Sequence, residues 1–104
     1  MTQIVLTRAT NLYGIECTGH AGYAKAGSDI VCAGISTLTG SFAFLVEEYS
    51  SNKRVSLKIF EESDAYIKML YCDPDGVLIP AYEMVCMGLE NIAEQYPDNI
   101  KIIF

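Results

Sequence analysis

The sequence has few of the residues from which metal and disulfide sites are built. It contains one histidine and no tryptophan, and its four cysteines form no C-x-x-C pair: Cys17, Cys32, Cys72 and Cys86. Zinc sites use closely spaced cysteines and histidines, so this pattern argues against a zinc site and predicts that no metal is bound. Disulfides are rare in cytosolic proteins, and we expect four reduced thiols.

Basic residues are also scarce, with 7 against 13 acidic residues and a net charge of −6. A nucleic-acid binder needs cations to displace phosphate counterions, so direct nucleic-acid binding is not expected, whereas a basic partner would be attracted. No uninterrupted apolar run approaches the ~20 residues needed to span a bilayer, and residues 1–8 lack the pattern of a signal peptide. We therefore expect a cytoplasmic protein with no membrane contact.

The chain does contain enough apolar sequence for one core. Of its 104 residues 51% are hydrophobic, which predicts one domain over residues 1–104. Alternation and helical spacing predict strands over 3–7, 12–18, 55–60, 66–72 and 100–104, and helices from 28 to about 49 and from 79 to 96. The order β-β-α-β-β-α-β belongs to the α/β class in its α+β form, and it predicts a single mixed β-sheet with two helices packed on it.

The same periodicity predicts which side chains are buried. Steps of four and three residues define one apolar face of the first helix: Val31, Ile35, Leu38, Phe42 and Leu45. The second helix has a similar face: Tyr82, Val85, Leu89, Ile92 and Tyr96. In the third strand Val55, Leu57 and Ile59 are expected on one face, opposite Ser56, Lys58 and Phe60. Residues 61–64 are then expected to form a turn.

The candidate chemistry lies in the segment that joins the second strand to the first helix. His20 is the only histidine, and Cys32 falls in the first helical turn, where the helix dipole favours a thiolate over a thiol. An imidazole can take a proton and return it, so the two residues form the minimum of a cysteine hydrolase. Between them, residues 19–27 form a glycine-rich loop that we expect to be mobile. The alternatives are a packed helical cysteine and a turn histidine.

Two polar residues flank the cysteine on the same helical face. Asp29, three residues before Cys32, is expected with Ser28 as a helix cap, and it could also orient the imidazole or bind the loop. We do not expect it to touch the sulfur, because a carboxylate there would disfavour the thiolate. Ser36, four residues after Cys32, could donate to the sulfur or support the loop, although packing within the helix is its commoner role.

These residues form a recognisable signature. The stretch 19–23 reads G-H-x-G-Y, and the stretch 27–33 reads G-x-D-[IV]-[IV]-C-A. Together with the length and the element order, this signature resembles the ribosomal-processing cysteine protease (Prp) family over nearly the whole chain.

The resemblance implies a cysteine endopeptidase that needs no cofactor. It implies removal of the N-terminal extension of large-subunit ribosomal protein twenty-seven during ribosome maturation, by a homodimer whose loop orders around the substrate. The implied catalytic dyad is His20 and Cys32. The implied supporting and substrate-loop positions are Gly19, Asp29 and Ser36, and Gly22, Tyr23 and Gly27. In the mechanism that follows, backbone N–H groups at the helix start would stabilise the oxyanion.

Two other functions stay open from the residues alone. One is a non-catalytic module that binds a basic ribosomal segment, with Cys32 as a packed helix residue. The other is a redox sensor in which Cys17 resolves an oxidised Cys32.

Overall fold

A computed structural model describes residues 1–25 and 27–104, and its elements follow the predicted order. Ala26, which belongs to the predicted loop, lies outside the described residues. The elements are β1 (Thr2–Ala9), β2 (Leu12–Thr18), α1 (Ile30–Ser51), β3 (Ser56–Ser63), β4 (Tyr66–Cys72), α2 (Ile79–Gln95) and β5 (Ile100–Ile103). The predicted fold class is therefore confirmed.

The five strands form one mixed sheet in the order β3-β4-β2-β1-β5. The pairs β1–β2, β2–β4 and β3–β4 are antiparallel, and β5 alone runs parallel to its neighbour β1. The parallel pair begins with Thr2 opposite Ile100, so the start of the chain and the start of its last strand lie side by side.

One face of the sheet carries the core. Side chains paired across the central strands share a face, so Ile4 and Cys17 lie on the same side as Ile15 and Met69. All four are buried, in one cluster with the apolar faces of both helices. The opposite face carries polar side chains, among them Glu16, which accepts a hydrogen bond from the Tyr66 hydroxyl. Alternation along each strand thus separates the core from the solvent side.

Helix α1 starts at its predicted cap and ends two residues beyond the predicted end. The Asp29 side chain accepts hydrogen bonds from the first-turn amides of Val31 and Cys32, as an N-cap does. The fully buried residues of α1 are Val31, Ile35, Thr39, Phe42, Ala43 and Val46. The predicted Leu38 and Leu45 are only partly buried and flank this face. Leu38 instead packs against α2, where a Cβ on Gly88 would lie 2.9 Å from its Cδ1 atom.

Helix α1 is also long enough and apolar enough, by length and composition, to cross a membrane. Glycine, serine and threonine interrupt its apolar residues, so it contains no long uninterrupted apolar run. A helix at the centre of a folded core meets the same criterion, and α1 buries one face against the sheet.

In α2 the predicted face is partly confirmed. Tyr82, Val85 and Leu89 are buried, whereas Ile92 is half-buried. Tyr96, predicted as the last helical residue, is the C-cap after α2 and is also half-buried.

The predicted face of the third strand is wrong at its end. A register shift between Leu57 and Ile59 pairs Ile59 with Leu70 and Phe60 with Met69. Such a β-bulge reverses the alternation, because one extra residue moves every later side chain to the other face. Phe60 therefore lies on the helix side of the sheet.

The predicted turn over residues 61–64 is also displaced. Strand β3 continues to Ser63, and the turn to β4 lies at Asp64 and Ala65, with Ala65 at a φ of 54°. The two glutamates that suggested a turn are tolerated in the strand because β3 is an edge strand. Glu61 also pairs across the ladder with Lys68.

Candidate active site

Most of the candidate residues line an open groove of about 810 Å³. Its walls come from the first five turns of α1, from the loop before α1, and from the β3–β4 hairpin. His20 and Cys32 both line it, and so do Phe44 and Phe60. The groove therefore places a thiol and an imidazole beside apolar surface large enough for an extended peptide.

Cys32 is the third residue of α1 and is half-buried. Its Sγ accepts a hydrogen bond of 3.1 Å from the backbone N–H of Ala21. A donor at this distance stabilises a negative sulfur more than a neutral one. The thiol thus combines the helix-start position predicted from the sequence with a donor that the sequence did not reveal.

His20 is exposed, and its Nε2 lies 3.7 Å from Oδ2 of Asp64 in the β3–β4 turn. The two side chains are 62% and 94% exposed, so any attraction between them is weak. Within the part of the chain that the structure describes, the hydrogen bond to Cys32 Sγ comes from Ala21 and not from the His20 ring. The structure thus brings the predicted dyad into one groove without joining the two side chains.

Asp29 is buried and forms hydrogen bonds with backbone amides of both the loop and α1. Its Oδ1 accepts from the amides of Val31 and Cys32, and its Oδ2 accepts from those of Tyr23 and, more distantly, Ala24. These bonds, that from Cys32 first, hold the pKa of the Asp29 carboxyl below its ordinary value, against the opposing effect of burial. Asp29 therefore ties the loop to the first turn of α1.

The Cys32 thiol also contributes to the lowered pKa of the Asp29 carboxyl. That contribution is the smallest of those that lower the pKa of Asp29, and the carboxylate's hydrogen bonds go to backbone amides.

The expected oxyanion donors are engaged elsewhere. The amides of Val31 and Cys32 donate to the Asp29 side chain, and the amide of Ala33 donates to the Asp29 carbonyl oxygen. The helix start is thus satisfied by its own cap, as most helix starts are. In this arrangement these three amides are therefore not free to donate to an oxyanion.

The other predicted positions divide into two groups. Gly19, Gly27 and Ser36 line the groove, and Ser36 is exposed there. Gly22 and Tyr23 lie in the loop outside the groove lining, and the Tyr23 ring stacks edge-on against Tyr96 with centroids 5.2 Å apart. Gly19, Gly22 and Gly27 all have positive φ, a conformation that glycine adopts readily.

Sequence reasoning missed the residues that hold the histidine segment. Thr2 Oγ1 donates to the carbonyl oxygen of Gly19 at 2.8 Å, and Asn99 Nδ2 donates to that of Ala21 at 3.0 Å. The Gly19 amide donates to the carbonyl oxygen of Ala65 at 2.8 Å. Each partner is at least 17 residues away along the chain, so no local pattern indicates these contacts.

Cys17 is more deeply buried than Cys32. Cys17 is buried beneath the groove, and burial raises its pKa to about 12. Such a thiol is neutral at ordinary pH and therefore a poor attacking or resolving group. Among the residues that the structure describes, no three His, Cys, Asp or Glu side chains are grouped to hold a metal ion.

A helix-start thiol that shares a groove with a histidine is the arrangement of a cysteine hydrolase. A family model within that class, described as cysteine protease Prp, matches residues 1–101. The chain therefore belongs to the cysteine protease Prp family, and the predicted enzyme class is confirmed.

Curated relatives agree with this assignment. The ribosomal processing cysteine protease Prp of Mycoplasma genitalium is 33% identical over 88 residues, which cover 81% of this chain and 80% of the relative. The protein of the same name from Mycoplasma pneumoniae is 30% identical over 96 residues, which cover 84% of this chain and 82% of the relative.

Solved structures share the fold. The essential ribosomal processing protease Prp of S. aureus, in complex with a covalently linked product peptide, superimposes with a TM-score of 0.75 at 20% identity, over 99% of this chain and 98% of that one. A Streptococcus mutans protein gives a TM-score of 0.68 at 27% identity, over 99% of this chain and 92% of that protein.

Proposed function

We propose that this protease removes the N-terminal extension of large-subunit ribosomal protein twenty-seven, in the cytoplasm, during ribosome maturation. Two curated relatives are named as ribosomal processing proteases, and the sequence signature resembles that of the family. The observation that carries the proposal is the Ala21–Cys32 hydrogen bond, which joins the histidine segment to the nucleophile within a peptide-sized groove.

The charge of the groove supports a basic substrate. Glu47, Glu62 and Asp64 stand along its lining, from α1 on one side and the β3–β4 hairpin on the other. Proteins that bind ribosomal RNA are basic, so their segments are drawn to an acidic groove. The apolar side chains of Phe44 and Phe60 would hold the apolar part of the same segment.

The reaction follows thiol chemistry. His20 takes the proton from Cys32, and the thiolate attacks the scissile carbonyl carbon, so that a C–S bond forms and the carbonyl becomes an oxyanion. His20 then returns the proton to the leaving amine as the C–N bond breaks. Water, deprotonated by His20, hydrolyses the thioester and releases the acid and the free thiol.

The oxyanion needs a donor other than the capped helix amides. The Ala21 N–H donates to Sγ at 3.1 Å, so it lies beside the atom to which the attacked carbonyl becomes bonded. Once the C–S bond forms, the sulfur loses its charge, and this amide is suited to donate to the new oxyanion.

Assembly of the dyad requires a movement of His20. Its ring now faces Asp64, and the weak contact between these exposed groups opposes rotation very little. We infer that a bound peptide completes the dyad, which would restrict cleavage to matching substrates. Amide exchange in residues 19–27 should slow when an uncleavable substrate peptide is added, and unchanged exchange would contradict this inference.

We also infer a homodimer, which exposed apolar side chains on α2 support. Met84 and Met87 are 64% and 68% exposed on that helix. Large apolar side chains grouped on a surface are typical of contact sites. Light scattering that gives a monomer mass across the micromolar range would contradict the dimer.

The proposed cleavage is tested with the extended ribosomal protein from the same cell. Wild-type protein, C32A and H20A are incubated with it, and the products are read by intact mass. We expect one N-terminal truncation with wild type and none with either variant. Absence of cleavage by wild type, with binding retained by C32A, would support the binding module instead. The redox sensor is disfavoured because burial raises the pKa of Cys17, its resolving thiol.

A further inference from the structure

The two backbone carbonyls on either side of His20 are held by side chains from distant parts of the chain. Thr2 Oγ1 donates to the carbonyl oxygen of Gly19, and Asn99 Nδ2 donates to that of Ala21. The first carbonyl belongs to the peptide unit before His20, and the second to the unit after Ala21. Between them lies the single peptide unit whose N–H donates to Cys32 Sγ.

The two donors are themselves joined. The Thr2 amide donates to the carbonyl oxygen of Asn99 at 2.9 Å, and the Asn99 amide donates to that of Tyr96 at 3.0 Å. Thr2 is buried and begins β1, while Asn99 immediately precedes β5, its parallel neighbour. The pair is therefore anchored in the sheet and moves with the core rather than with the loop.

A peptide unit is rigid, so fixing the units on both sides restricts the orientation of the one between them. The Ala21 N–H can then meet the sulfur only while both carbonyls keep their partners. Ala21 is itself fully buried, which leaves little room for another orientation. The Cys32 thiol has the Ala21 N–H as a donor because the backbone holds it there, and Thr2 and Asn99 fix that backbone.

We propose that Thr2 and Asn99 form a carbonyl clamp that aims the Ala21 amide at Cys32 and so activates the nucleophile. Both are positioning residues, since neither side chain touches the sulfur. The proposal rests on the cysteine-protease function proposed above. Its consequence is that the reactivity of Cys32 depends on two residues that lie 30 and 67 positions away along the chain.

The test measures the reactivity of the Cys32 sulfur directly, without any peptide substrate. Iodoacetamide alkylates thiolates, so its rate at Cys32, read by peptide mass spectrometry, reports the nucleophile even if the ribosomal substrate proves wrong. The variants T2V and N99D each remove one donor while keeping the size of the side chain. We expect each to slow alkylation of Cys32 by about 3- to 10-fold, the effect of losing one hydrogen bond.

Matched controls separate positioning from folding. T2S keeps the hydroxyl, so Cys32 should be alkylated at the wild-type rate. N91D makes the same chemical change as N99D at an exposed α2 site, where the Asn91 side chain accepts a hydrogen bond from Gln95, and it should leave the rate unchanged. Buried Cys17 serves as a reporter of opening, because a loosened fold exposes it.

Two results would overturn the clamp. One is alkylation of Cys32 in T2V and N99D at the rate found in N91D. The other is a parallel rise of alkylation at Cys17, which would assign both side chains to folding alone. For the clamp we expect slower alkylation at Cys32 alone and, with a cleavable peptide, a lower kcat at unchanged KM.

Discussion

Two buried tyrosines allow the value of one hydrogen bond to be measured inside this core. Tyr71 and Tyr82 belong to the same aromatic cluster, and both are at most 2% exposed. The Tyr82 hydroxyl lies 2.9 Å from the carbonyl oxygens of both Thr7 and Gly14, so it joins α2 to the β1–β2 hairpin. The Tyr71 hydroxyl is the one buried side-chain polar atom in the described chain without a partner.

The same substitution should therefore have opposite effects at the two positions. Y82F removes a hydrogen bond and leaves a buried carbonyl less well satisfied, which should lower the free energy of unfolding by about 2 kcal/mol. Y71F removes a hydroxyl that lost its water on folding and gained nothing, so the free energy of unfolding should stay equal or rise by up to about 1 kcal/mol. The apolar ring remains in both variants, and no cavity confuses the comparison.

The assay is urea unfolding followed by circular dichroism, at one protein concentration and with m-values compared between variants. Wild type, Y71F and Y82F are measured together. A loss in Y71F as large as that in Y82F would refute the reasoning, because the Tyr71 hydroxyl would then have a partner. Equal stability of all three proteins would also refute it, since the Tyr82 bonds would be worth nothing.

Two further predictions concern the buried thiol and the glycines beside the site. Burial raises the pKa of Cys17 from 9.0 to about 12, so between these values the folded state keeps a proton that the unfolded chain loses. The free energy of unfolding should therefore fall as pH rises through that range, by up to about 1.4 kcal/mol per pH unit. In unfolding experiments from pH 8 to 11 the decline should be shallower for C17A than for wild type, and equal slopes would contradict the raised pKa. Gly19 and Gly27 both have positive φ, but a Cβ on Gly19 would lie 2.9 Å from the carbonyl oxygen of Met1, whereas a Cβ on Gly27 would have nothing in the described chain within 4 Å. G19A should therefore lower the melting temperature clearly more than G27A. Equal losses would show that the backbone conformation alone sets the cost.

The parts of the fold that the sequence predicted correctly depend on short separations. Asp29 could be placed as the cap of α1 because an N-cap acts over two or three residues. Cys32 followed in the first turn for the same reason. Phe60 was misplaced because a β-bulge depends on pairing with β4, which the alternation of a single strand does not reveal.

The site shows the same division. His20 and Cys32 were predicted as a dyad because they stand in one short signature, and both line one groove. The Ala21 amide was not found, because a backbone donor has no sequence signal of its own. Nor could the sequence show that the Asp29 cap occupies the amides that we had assigned to the oxyanion.

By itself, then, the sequence determined the order of the elements and the start of α1, since periodicity and capping act among near neighbours, and it predicted His20 and Cys32 as the reactive side chains. Only the tertiary structure decided what holds those side chains. Thr2 reaches Gly19 across 17 positions and Asn99 reaches Ala21 across 78, because β1 and β5 pair in parallel beside the loop. Contacts of that kind arise from strand pairing and packing of the whole chain, so they exist only once the core has formed.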